Sequence, residues 1–157
     1  MRTDGPIERH SGSPAQRRLL VAGYVFAAGS AVHAADHLRR GQGSISDELD
    51  WLGSLGLVVQ VVVITLIVTR HRLAPLAAVA AGFPLALGFA VVHWLPEWSV
   101  ISDPLWEIDS AAWLSYAAST AEIIGALAVG LCGLAIVRER GLASFGHVPT
   151  PGAAPAG

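Results

Sequence analysis

The chain has 157 residues, 53% hydrophobic and only 14% charged, with a mean hydropathy of +0.54. Soluble domains carry about 25% charged residues, so the composition excludes an ordinary soluble domain and leaves length for one membrane domain. The net charge of −2 argues against nucleic-acid binding, and the single cysteine, Cys132, rules out an internal disulfide or a thiolate metal cluster.

Residues 1–15 are rich in small and polar residues and read as a disordered arm. A membrane-crossing helix needs roughly 20 mostly apolar residues. Four stretches within 16–140 qualify, at 19–38, 51–69, 73–95 and 111–137. The first follows Arg17 and Arg18 and ends in VHAADHLRR (32–40). It also resembles a leader, with a basic start and a small-residue cleavage pattern at Val32–Ala34 that would leave three spans. The polar bulk of His33 and Asp36 at that point favours a retained helix. The second carries no charge and is rich in valine and isoleucine; its length favours a helix, the element that satisfies its own backbone in lipid. The third has Pro84 near its middle, which frees the carbonyl of Ala80 and predicts a kink opening room near Gln60 and Glu122. Segment 96–110 mixes tryptophans with acids and is expected to lie on the membrane surface. After the fourth span, residues 141–157 read as a second disordered tail. The fold class is therefore all-α, a four-helix transmembrane bundle in the lipid bilayer of the plasma membrane.

Arginine placement orients it. Arg2, Arg9, Arg17, Arg18, Arg70, Arg72, Arg138 and Arg140 fall on one side, and Arg39 and Arg40 on the other. That bias places both termini in the cytoplasm. Trp51, Trp94, Trp98, Trp106 and Trp113 then all lie at the outer interface, as an aromatic belt does.

Ionisable residues within spans are costly and turn inward. Counting 1.5 Å per residue from the outer edge, His37 and His93 lie at roughly 1–2 Å, His33 at roughly 7–8 Å, Ser119 at roughly 9 Å, and Gln60 and Glu122 at roughly 13–14 Å. All four helices thus bring polar groups to the outer half. His33 and His37 share a helix face. Glu122 sits on a four-residue ladder of small residues, Ala118, Ala126 and Gly130, where transmembrane helices approach closely. "AVH" and "VVH" near the ends of the first and third spans hint at a parallel duplication.

Three functions fit this pattern. His33, His37 and His93, with Glu122 as fourth ligand or proton acceptor, form a candidate site for zinc, copper or haem. Asp36 would steady an imidazole or pair with Arg40. Alternatively, Glu122 and Gln60 at mid-membrane belong to a proton-coupled transporter subunit. Or the polar groups, Gln60 and Ser119 among them, only join helices in a non-catalytic subunit. No nucleophile–base pair points to an enzyme, and a homo-oligomer or a membrane partner protein is left open. The combination of ADHLRRG, TRHRLAPLAAVAAGFPLALGFAVVHWLP and a lone glutamate in the last span resembles small four-span membrane proteins of actinobacteria without assigned activity. The resemblance covers roughly residues 16–140 and implies the four-span fold but no role.

Overall fold

The computed structural model describes residues 13–41, 43–108 and 111–146, so the readings of 1–12 and 147–157 as disordered lie outside the described residues. Four long helices are long and apolar enough to cross a membrane, the mark of a multi-pass membrane protein. They are α1 (Pro14–Arg40), α2 (Asp47–Val68), α3 (Ala74–Trp94) and α4 (Ala112–Arg140). A short α5 (Ala143–Gly146) follows, so the segment read as a tail begins with a helical turn, and its Phe145 is buried.

The helices outrun the apolar stretches at their capped ends. Ser13 and Gln16 form a reciprocal capping box, which starts α1 five residues before the expected 19. Ser46 caps α2 by accepting from Leu49 N–H, and Asp47, Glu48 and Asp50 complement the helix dipole in its first turn.

α4 is the central element and packs against both α1 and α3, while α2 lies at the side. The buried face of α1 runs Leu19, Ala22, Gly23, Phe26, Gly29, His33 and Asp36, the three-and-four spacing of one helix stripe. On α4 the ladder expected from sequence is buried in full: Ala118, Glu122, Ala126 and Gly130. Contact here is backbone to backbone. A β-carbon on Gly125 would lie 2.6 Å from the Cα of Phe26, and one on Gly82 would lie 2.7 Å from the Ala126 carbonyl oxygen. Glycine is thus required at both crossings. α2, by contrast, buries only Leu49, Gln60, Val63 and Ile67 and turns its other valines and leucines outward. Pro84 lies inside an unbroken α3 on its exposed face, pointing away from the polar groups the predicted kink was to serve.

The chain order brings Arg70, Arg72, Arg138 and Arg140 to one end of the bundle and all five tryptophans to the other, where each is exposed. The connection between α3 and α4 departs from the expected surface segment. It folds back over the tryptophan-rich end: Asp103 N–H donates to the Val92 carbonyl at 2.9 Å. A turn of 3-10 helix (Leu105–Glu107) then buries Leu105.

Candidate metal centre

Near the tryptophan-rich end, His33 and His37 from α1 meet His93 from α3. Each histidine presents a ligand atom, and the three atoms lie within 4.8 Å of one another. Nε2 of His33 and Nε2 of His37 are 2.9 Å apart, so one donates to the other. The rings touch edge-on or tilted, with centroids at 4.6 Å (His33–His37), 4.8 Å (His33–His93) and 5.9 Å (His37–His93). Two nitrogens bound to one tetrahedral zinc lie roughly 3.3 Å apart, given bonds of about 2.0–2.1 Å. Small ring rotations would therefore close this set on a single ion. The two histidines of the AVH/VVH echo, His33 and His93, come from different helices, as do His37 and His93.

Each of those two has a carboxylate behind it. His93 Nδ1 lies 3.2 Å from the Asp103 backbone carbonyl oxygen and 3.3 Å from its carboxylate Oδ2. Nδ1 therefore donates to Asp103, and Nε2 is the nitrogen left for a ligand. His33 Nδ1 lies 3.6 Å from Glu122 Oε2, with the Glu122 side chain 2% exposed. Carboxylates at this position fix the tautomer of a metal-bound imidazole and raise its basicity.

Asp103 is itself clamped. Arg40 Nη1 donates to its Oδ2 at 2.6 Å, and Nη2 donates to its other oxygen. Burial alone would raise the Asp103 carboxyl. The hydrogen bonds from Arg40 and His93, with the guanidinium charge, outweigh it and hold the group well below the usual carboxylate range.

The remaining predicted residues divide. Asp36 neither touches an imidazole nor pairs with Arg40; Arg39 takes it at 2.8–2.9 Å, and the same guanidinium reaches Ser115 on α4 at 3.2 Å. The correction has a geometric cause: Arg39 shares the face of Asp36 one turn on, while Arg40 is drawn across to the folded-back loop. Ser119 stands apart from the histidines. It accepts from Trp94 Nε1 and donates to the Tyr116 carbonyl, both at 3.2 Å, which joins α3 to α4. Gln60 from α2 and Ser30 from α1 lie beside the Glu122 carboxyl.

Four buried atoms here have no hydrogen-bond partner among the described residues: Nδ1 of His33, Nδ1 of His37, Oε1 of Gln60 and Oε2 of Glu122. An unsatisfied buried polar group costs about 1–3 kcal/mol, and all four belong to the polar region around His33 and Glu122.

Sequence reasoning missed Asp103 and Ser115 as parts of this region and gave Arg40 the wrong partner. Asp103 carried one available signal, an acid in an aromatic loop with no base beside it. No family model matches the chain, and neither does any curated protein or solved structure.

Proposed function

We propose that the bundle binds a first-row transition-metal ion, zinc or copper, through His33, His37 and His93. The observation that carries the reading is the convergence of three buried or half-buried imidazoles from two helices within 4.8 Å. Imidazole suits zinc, copper, iron and nickel, and three protein ligands leave a fourth position open for exchange. Glu122 lies on the Nδ1 side of His33, away from the nitrogen that faces His37. It therefore serves as orienting carboxylate and proton acceptor rather than as fourth ligand. Haem fits less well, because rings in direct contact leave no slot for a macrocycle unless α1 and α3 part. With the arginine-rich end in the cytoplasm, the site opens to the outside of the plasma membrane.

The test is metal analysis of detergent-purified protein, followed by titration with Co2+ read by its visible absorption. One ion per chain, with a spectrum lost in His37→Ala and His93→Ala, supports the reading. A wild-type protein that takes up neither Co2+ nor Zn2+ sinks it.

A further inference from the structure

Two buried atoms face each other behind His33: its own Nδ1 and Glu122 Oε2, 3.6 Å apart and each without a hydrogen-bond partner among the described residues. That separation is close to the bite of two donors on one ion, roughly 3.4 Å for bonds of about 2.1 Å in a tetrahedron. Beside the carboxyl sits Gln60, which is 4% exposed and whose Oε1 also has no partner. These three atoms come from α1, α4 and α2, and none belongs to the face on which His33 Nε2 meets His37.

We propose that His33 Nδ1, Glu122 and Gln60 form a second station for the same ion, deeper in the bundle, to which His33 passes it. This rests on the three-histidine reading above. A neutral imidazole has one lone pair for a metal. While the ion sits on Nε2, Nδ1 carries the proton and faces Glu122. When the ion moves to Nδ1, the Nδ1 proton leaves to water by way of the Glu122 carboxylate and a proton from water binds Nε2, so the ring stays neutral and no net proton is gained. Occupancy of the two stations therefore alternates through one side chain. The ligand set also changes, from three imidazoles to one imidazole with two oxygens, which binds borderline and soft ions less tightly. An ion is thereby held firmly near the tryptophan-rich end and released more readily near mid-bundle. The class of activity this fits is transition-metal movement into the membrane core, not storage.

The experiment uses the full chain in two forms, Co2+ titration in detergent and Zn2+ uptake into proteoliposomes holding a zinc-sensitive dye. Glu122→Gln and Gln60→Leu are both close in size to the native residues, and unchanged helix content by circular dichroism shows that each variant is folded. The expected result is Zn2+ uptake by the wild-type protein. Co2+ binding stays within about threefold of wild type in Gln60→Leu but weakens about 10–100-fold in Glu122→Gln, through loss of the carboxylate behind His33. Uptake is lowered more than about tenfold in both, even where the histidine site is saturated. Wild-type uptake in Gln60→Leu overturns the second station. So does a wild-type protein that binds Co2+ but moves no Zn2+, or a loss of Co2+ binding in step with uptake in Gln60→Leu. A wild-type protein that binds no metal overturns the three-histidine reading as well.

Discussion

Where α4 crosses α1 and α3 near mid-bundle, the helices meet through glycine, and a single added carbon would strike backbone at 2.6–2.7 Å. Toward the tryptophan-rich end α1 and α3 bring three imidazoles together beneath a folded-back loop, with the Glu122 carboxyl behind His33. The first region is apolar and its small residues leave no room; the second, reaching from His37 down to Glu122 and Gln60, keeps four buried polar atoms without partners among the described residues. Membrane helices gain little from apolar burial, because lipid is as apolar as the core, so close backbone packing supplies the cohesion. The difference teaches a division of labour. Tight glycine crossings provide enough stability for the polar end to carry unsatisfied groups.

That division can be broken from either side. The largest effect is expected from His33→Ala, which removes the residue common to the histidine cluster and the Glu122 contact. Co2+ affinity should fall more than about a hundredfold, or about 2.8 kcal/mol at 1.4 kcal/mol per tenfold, while thermal unfolding in detergent changes little. Gly125→Ala should do the reverse. Forcing a methyl into the Phe26 backbone should cost about 1–3 kcal/mol of stability, read by circular dichroism on heating. An equal loss of stability in both variants would erase the distinction.

Asp103→Asn sharpens the comparison at the loop. The amide keeps the size but loses the charge that clasps Arg40 and the acceptor strength that holds His93. Metal affinity should drop about 10–100-fold, with a shifted Co2+ spectrum and unchanged helix content. Ser119→Ala, which removes one interhelical hydrogen bond away from the histidines, should cost about 0.6 kcal/mol and leave the Co2+ spectrum alone. Gly53→Ala, on the open face of α2 where an added β-carbon meets nothing within 4 Å, should stabilise slightly, by about 0.5–1 kcal/mol.

The four helices were legible because apolar length is a direct requirement of the bilayer, and Glu122 was placed on a packed face by its small-residue ladder alone. The structure gathers the three histidines singled out from the sequence, yet counting depth along each helix spread them and Glu122 over roughly 12 Å. Side chains on a helix lean toward its N-terminus. α1 and α3 run toward the tryptophan-rich end and α4 runs away from it, so the His33, His37 and His93 side chains lean down while Glu122 leans up. The gap closes from both directions, to 3.6 Å between His33 and Glu122. Asp103 was beyond reach for a different reason. Its position depends on a loop folding back onto the Val92 carbonyl, a contact between distant segments that leaves no periodic trace. Arg40 then followed Asp103, and the pairing read from spacing alone gave way to Arg39.

The side position of α2 has a mechanical meaning. α1, α3 and α4 are locked by backbone contact, so none can slide without separating the others. α2 rests on its neighbours through side chains: Ile67 against Gly23 and Leu85 near Gly56. Its one buried polar side chain is Gln60, which lies beside Glu122. The helix held by side chains alone therefore supplies an amide to the polar region that the three backbone-locked helices enclose.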